Sequence, residues 1–139
     1  MNEHHVITRL KERFAAEGGR AFIPLIRGDK PFRAELSGDG IYVDNLGNQP
    51  FLPWAVFVAA VELMKGMGGR AMKGDAMRHR LGTQGLPIDS IEGHIADTVY
   101  GKQAGDSIFR RITPIACILI WAGICYNENG CLVLRSFTP

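Results

Sequence analysis

The chain has 139 residues, of which 46% are hydrophobic and 22% are charged, and its formal net charge is +2. This length and composition fit one folded domain of common size and exclude a wholly disordered protein. A net charge of +2 by itself indicates neither a nucleic acid nor a membrane partner, so the distribution of charges along the chain is the informative quantity.

The cysteines and the start of the chain bear on the cellular compartment. Cys117, Cys125 and Cys131 are odd in number and lack a paired spacing, which argues against a secreted disulfide framework. The polar start lacks the features of a signal peptide, and the longest apolar run, residues 115–125, has about half the length of a membrane span. We therefore expect buried free thiols in a soluble protein of the reducing cytoplasm.

The first fifty residues predict a helix followed by a small sheet. Val6, Leu10 and Phe14 recur at helical spacing within residues 4–16, and a pair of glycines ends that pattern. Three runs rich in β-branched and aromatic residues follow and are separated by turn residues: 21–26, 31–36 and 40–46. This order predicts an antiparallel β-meander. Residues 47–50, Gly-Asn-Gln-Pro, form the clearest boundary with the rest of the chain.

The middle of the chain predicts three helices. Pro53 opens the first, over residues 54–65, which is apolar nearly all round and therefore belongs in the core. A glycine-rich stop follows, and Asp75 is a suitable N-cap for a short helix over 76–81. The third helix, roughly over 88–100, carries its isoleucines on one face.

The end of the chain predicts a very apolar helix and a β-hairpin. The helix begins near Ser107, passes Pro114 and ends at Gly123. Asn129 and Gly130 then separate two strand-like runs. This dipeptide favours a two-residue hairpin turn, because both turn positions require positive φ.

The order of elements over residues 53–135 resembles the winged helix-turn-helix domains found at the N-terminus of Mrr-type restriction proteins and in many regulators. In that group a helix that ends in Ala-Gly and two apolar residues leads directly into a β wing. Here residues 121–125 read Trp-Ala-Gly-Ile-Cys, and Asn129 with Gly130 stands at the tip of the wing. The resemblance implies a DNA-binding protein.

The predicted fold class is α+β, with an N-terminal helix and a small antiparallel β-meander packed on a winged-helix-like helical unit with a C-terminal β-hairpin. We expect a single compact domain over residues 1–139, with the helix and meander in 1–49 and the winged-helix-like unit in 50–139. Ten residues are predicted to form the core: Trp54, Phe57, Val61, Ile91, Ile95, Ile115, Ile118, Leu119, Leu132 and Leu134.

The charges that point to DNA lie mostly in residues 65–80, where five lysines and arginines accompany one aspartate. Clustered cations release condensed counterions from phosphates, and the glycines of this stretch allow backbone amides to approach a phosphate closely. The same charges also fit a solvated face of a short helix. The last helix exposes almost no polar residue, so only Arg110 and Arg111 at its beginning would reach a phosphate or a base edge.

We expect a non-catalytic DNA-binding protein, such as a regulator or an accessory protein of a mobile element. Its phosphate and groove contacts are assigned to ten residues, the last two of them in the wing: Lys65, Arg70, Lys73, Arg78, Arg80, Lys102, Arg110, Arg111, Asn127 and Asn129.

A small protein-interaction or adaptor domain, including one that forms a homodimer, is the alternative. Residues 89–106 carry four acidic side chains against Lys102 alone. This acidic segment fits a basic partner surface, including the basic stretch of a second copy of the chain, and it also fits a solvated face. The adaptor would use the acidic helix together with the apolar turn around residues 51–54.

Enzymatic chemistry has the weakest support in the sequence. His94, with Glu92 and Asp97 nearby, is a candidate metal or acid–base site, but on a helix only His94 and Asp97 would be neighbours. Walker, Rossmann, GxSxG and zinc patterns are all missing from the sequence. We therefore expect no enzymatic activity, no cofactor, no metal, no small-molecule substrate and no membrane partner.

Overall fold

The fold is α+β, as the sequence predicts. The computed structural model describes residues 3–135, so the two ends of the predicted domain, residues 1–2 and 136–139, lie outside the described residues. Within that part, four helices and two antiparallel sheets follow one another along the chain: α1 (His5–Ala15), β1 (Arg20–Ile23), β2 (Phe32–Leu36), β3 (Gly40–Val43), β4 (Phe51–Pro53), α2 (Trp54–Gly66), β5 (Arg70–Met72), α3 (Ile91–Thr98), α4 (Ile112–Trp121), β6 (Cys125–Glu128) and β7 (Cys131–Leu134).

Helix α1 confirms the spacing argument made from the sequence. Val6, Leu10 and Phe14 are fully buried on its inner face. The imidazole Nδ1 of His4 accepts a hydrogen bond from the backbone N–H of Val6 at 3.1 Å, which satisfies one of the free amides at the start of the helix. The helix ends where the backbone N–H of Gly19 donates to the carbonyl of Phe14 at 2.8 Å.

The first sheet has the strand order β1-β2-β3-β4. Its first three strands confirm the predicted meander, whereas β4 was not expected because three residues are too short to show a period. β4 lies beyond the turn at residues 47–50 and pairs Leu52 with Ile41 of β3. The inner face of the sheet packs on the core, and the outer face exposes Phe22, Arg33 and Tyr42.

Helix α2 occupies the centre of the molecule, as its apolar sequence predicts, and it packs against α1, α3, α4 and both sheets. The second sheet has the order β5-β7-β6, in which the predicted hairpin pairs with a strand that the sequence did not reveal. Asn129 and Gly130 form the hairpin turn with φ values of 48° and 81°, as the dipeptide predicted. Of the ten predicted core residues, Trp54 alone is half-buried, and the other nine are buried.

The short helix predicted over residues 76–81 is wrong. The segment forms turns instead, and the Asp75 carboxylate accepts the backbone N–H of Met77 at 3.1 Å. Leu81 and Leu86 anchor these turns in a small second core. A side chain of aspartate favours such local turns as readily as it caps a helix, so the residue itself does not decide between the two.

Two further helices begin later than predicted. Helix α3 starts after Ser90, whose hydroxyl accepts the backbone N–H of Gly93 at 3.1 Å. This serine is a stronger N-cap than the proline at 87, which explains the shift from residue 88. Helix α4 begins at Ile112 rather than near Ser107. It ends at Trp121, and beyond Gly123 the N–H of Ile124 donates to the carbonyl of Leu119 at 2.9 Å.

Candidate nucleic-acid interface

Helix α4 is the element that the winged-helix resemblance would place in a DNA groove, and it lies in the interior. Seven of its ten residues are buried. The Trp121 ring packs 4.8 Å from the ring of Phe14 in α1, and the chain that follows β1 covers Cys117. A helix enclosed in this way does not present a face to the major groove. Its beginning borders an open surface.

A cleft of about 560 Å³ lies at that beginning and is called here the basic cleft. Arg27 contributes from the turn between β1 and β2, Lys73 from the chain after β5, and Arg110 from the chain before α4. Asn127 and Asn129 border it from the hairpin. Three cations and two amides, from four separate parts of the chain, therefore face one recess.

The cations of the basic cleft are close enough to influence one another. Burial lowers the pKa of the Lys73 ammonium, and the positive charges of Arg27 and Arg110 lower it further. The Lys73 ammonium donates a hydrogen bond to the side-chain carbonyl of Asn127 at 2.6 Å. Within residues 3–135 no carboxylate lines the cleft. The positive charge of the cleft is therefore not neutralised there, and it favours an anionic ligand.

A second, more open recess of about 650 Å³ lies next to the basic cleft and is called here the neighbouring recess. It is bordered by the turn at residues 45–48 and by Met77 and Phe109. Arg110 and Thr113 border both recesses. The two recesses therefore adjoin at the start of α4, and together they are called here the groove.

Other basic residues predicted from the sequence lie on the surface but outside this groove. Arg78 and Arg80 are exposed in the turns that replace the predicted short helix, and Arg80 donates to the carbonyl of Gly105 at 3.2 Å. Lys102 is exposed in the loop between α3 and α4. These residues can extend a basic surface, but they do not join the three cations of the cleft.

Two residues of the predicted basic stretch have acidic neighbours. The Arg70 guanidinium forms an ion pair with Glu128 at 3.0 Å, and this pair, with the Arg70 side chain's hydrogen bond to Cys131, raises the pKa of Arg70. Lys65 lies in the last turn of α2 near Glu62, where a hydrogen bond with His4 and, less strongly, the charge of Lys65 lower the pKa of that carboxyl group. Neither Arg70 nor Lys65 lines the cleft.

Arg111 is placed in the interior, at 8% exposure, and not on the predicted DNA surface. Its guanidinium lies 3.8 Å from the centre of the Tyr100 ring and donates to the side-chain carbonyl of Gln49 at 2.8 Å. The neighbouring residue in the sequence, Arg110, is exposed. Adjacent arginines therefore have different roles, because the chain before α4 turns one side inward and the other outward.

The side chain of Glu92 holds the start of α4 by hydrogen bonding. Its carboxylate is 1% exposed and accepts the backbone N–H of Arg111 at 2.9 and 3.2 Å from its two oxygens. Burial raises the pKa of Glu92 to about 7, although hydrogen bonds from the amides of Arg111 and Ile112 act in the opposite direction. The acidic helix therefore directs this carboxylate inward, which contradicts its assignment to a solvated or partner-facing surface.

The candidate acid–base site on α3 is not assembled. Glu92 is used by the start of α4, Asp97 is exposed, and His94 donates its backbone N–H within the helix cap. Within residues 3–135 there is no group of three His, Cys, Asp or Glu side chains that could hold a metal ion. In the same part of the chain, no helix combines the length and the apolar character needed to cross a membrane.

Comparisons of this chain with protein-family models, with curated proteins and with solved structures return no match. The residues of the groove are therefore the basis for the functional proposal.

Arg27 lines the basic cleft and was not among the residues predicted from the sequence. It stands in the Arg-Gly-Asp-Lys turn of the meander, where Gly-Asp indicates a turn and the arginine carries no specific signal. Its neighbours in the cleft, Lys73 and Arg110, are distant along the chain. No pattern of local spacing could have brought the three together.

Proposed function

We propose that this protein is a non-catalytic DNA-binding protein that holds backbone phosphates in the basic cleft. The observation that carries the proposal is the convergence of Arg27, Lys73 and Arg110 on a recess that no carboxylate lines within residues 3–135. Cations in such an arrangement gain free energy from a phosphate chain, because the phosphates release their condensed counterions on binding.

The order of elements supports the same proposal. Helices α2, α3 and α4 precede a hairpin whose Asn127 and Asn129 border the cleft, as a wing would beside a bound strand. Because α4 is buried, the contacts available to a duplex are phosphate contacts from the start of α4, from the hairpin and from the β1–β2 turn. Phosphate contacts carry no sequence information, so we expect weak dependence on base sequence.

Fluorescence anisotropy with a labelled duplex of random sequence, titrated at several salt concentrations, tests the proposal. We expect a dissociation constant between about 1 and 100 µM at physiological salt. Three phosphates neutralised in the cleft give a slope of about −3 for the logarithm of affinity against the logarithm of salt concentration, and phosphates at Arg78 and Arg80 would make it steeper by up to about 2. Arg110→Ala should reduce that slope by about 0.9.

Arg20→Ala is the matched control for this experiment, because Arg20 is an exposed cation on the outer face of the first sheet and does not line the cleft. We expect it to change the affinity much less than Arg110→Ala does. Binding that is insensitive to both salt and Arg110→Ala would refute the proposal.

A homodimeric interaction module is the second candidate function, and the outer face of the first sheet favours it. Phe22 is 65% exposed and Tyr42 is 49% exposed on that face. The surface inferred from the sequence is less suitable, because Leu52 is buried and the Trp54 indole donates to the carbonyl of Gly38 at 3.0 Å. Light scattering of the protein and of Phe22→Ser tests this candidate, and a monomer at all concentrations would exclude it.

A further inference from the structure

The basic cleft is a recess and not a ridge, and this shape restricts the DNA that can enter it. Its three cations stand between the β1–β2 turn, the hairpin and the start of α4. A volume of about 560 Å³ lies within the usual range of about 300–1,000 Å³ for sites that enclose small molecules. The backbone of a duplex is part of a stiff, convex surface, whereas an unpaired strand can bend into a recess.

The basic cleft is lined by apolar side chains as well as by its three cations. Leu25 and Ile26 border it from the chain after β1, and Ile112 and Ala116 border it from α4. A phosphate alone gains nothing from such side chains. A nucleotide does, because its base buries apolar area while its phosphate reaches the cations.

The groove also offers hydrogen-bonding groups of the kind that base edges use. Asn127 and Asn129 border the basic cleft, and Asn45 and Asn48 border the neighbouring recess. Each asparagine amide provides both a donor and an acceptor. Phe109 borders the neighbouring recess, where an aromatic side chain can stack on a base.

We propose that the groove binds two successive unpaired nucleotides of single-stranded DNA, one in the basic cleft and one in the neighbouring recess. The phosphate between them lies at Arg110, because Arg110 borders both recesses. Arg27 and Lys73 hold the phosphate on the far side of the first nucleotide. This inference rests on the proposed DNA-binding function and specifies the form of DNA that the site accepts.

The test compares a labelled oligothymidine of roughly 12 nucleotides with a duplex of the same length, by anisotropy at several salt concentrations. We expect the single strand to bind at least about tenfold more tightly than the duplex. Two phosphates neutralised on a single strand give a slope of about −1.4 for the logarithm of affinity against the logarithm of salt concentration.

Two variants distinguish the contribution of the groove's shape to strand binding from the contribution of its charge. Thr113→Phe narrows the boundary between the two recesses without changing any charge, because Thr113 borders both and is half-buried. We expect it to weaken single-strand binding on the order of tenfold and to weaken duplex binding by a much smaller factor. Arg110→Gln, at an exposed position where folding is not at risk, should weaken single-strand binding by a similar factor.

Arg20→Ala is again the charge-matched control, and circular dichroism verifies that each variant is folded. Equal affinity for strand and duplex, or unchanged strand binding in Arg110→Gln, would overturn the inference while leaving DNA binding in place. Absence of binding to both forms would instead overturn the proposed function itself. Thymidine monophosphate is the last probe: if it binds as tightly as the oligonucleotide, the site accepts a free nucleotide and the strand proposal is wrong.

Discussion

The buried carboxylate of Glu92 gives a prediction about how stability depends on pH. The variant Glu92→Gln keeps the size of the side chain and an oxygen that can accept the backbone N–H of Arg111, and it removes the titrating group. The 1% exposure of Glu92 means that its charged form has almost no contact with water. A buried carboxylate of this kind favours its protonated form in the folded protein.

The shift in the pKa of Glu92 determines how much the free energy of unfolding changes with pH. Burial raises this pKa from 4.5 to about 7, and each pKa unit corresponds to about 1.4 kcal/mol. The contribution of Glu92 to the free energy of unfolding therefore changes by up to about 3 kcal/mol. Between these two values the folded protein holds a proton that the unfolded chain has released. The free energy of unfolding therefore falls as the pH rises from about 4.5 to about 7, and it is constant with respect to this group outside that window.

Urea unfolding of the wild type and of Glu92→Gln, at pH values from about 4 to about 8, measures this effect. The difference in unfolding free energy, wild type minus variant, should decrease by up to about 3 kcal/mol across that range. Taking the difference cancels the titration of the histidines. A difference that stays constant, or that increases with pH, would show that the carboxylate is not held as the structure places it.

Glu62→Gln is a control, because the contribution of Glu62 to the free energy of unfolding should change with pH in the opposite direction to that of Glu92. The side chain of Glu62 is half-exposed and its carboxylate forms a hydrogen bond with His4 at 2.7 Å. This hydrogen bond, and secondarily the charge of Lys65, lower the pKa of Glu62. Its contribution to stability is therefore present at neutral pH and lost as the pH falls through its folded pKa. The same measurements, extended below about pH 4, should show the opposite slope for Glu62, because its lowered pKa places the change in stability below the ordinary value of 4.5.

Two further predictions concern the surface and the hairpin. The double variant Arg78→Ala with Arg80→Ala should weaken DNA binding equally for all sequences, as measured by anisotropy. The slope of the logarithm of affinity against the logarithm of salt concentration should become shallower by up to about 2. Unchanged affinity would show that the phosphate contacts are confined to the basic cleft. Asn129→Val should lower the free energy of unfolding by about 1–2 kcal/mol, because a β-branched residue is strained at a φ of 48°. Asn129→Gly should have a much smaller effect in the same urea titration, and equal losses in the two variants would refute the strain argument.

The sequence by itself determined the elements whose signals are local. The spacing of Val6, Leu10 and Phe14 defines α1, and Asn129 with Gly130 defines the hairpin turn, because dihedral preferences and side-chain periodicity depend on residues only a few positions apart. The same local reasoning failed at residues 76–81, where Asp75 served a turn as readily as a helix cap. It also failed at β4, which is too short to show a period and exists because β3 provides its partner.

Only the tertiary structure decided which side chains face solvent and which of them meet. The sequence identified α4 as apolar. The packing of α1 and of the chain between β1 and β2 against α4 buries this helix, so it cannot enter a DNA groove. Arg110 and Arg111 are indistinguishable in the sequence, yet one borders the cleft and the other lies against Tyr100. Arg27 lines the same cleft as Arg110, although the two residues are far apart in the sequence. Such placements depend on how distant segments pack, because buried area and the desolvation of charges are properties of the whole fold and not of neighbouring residues.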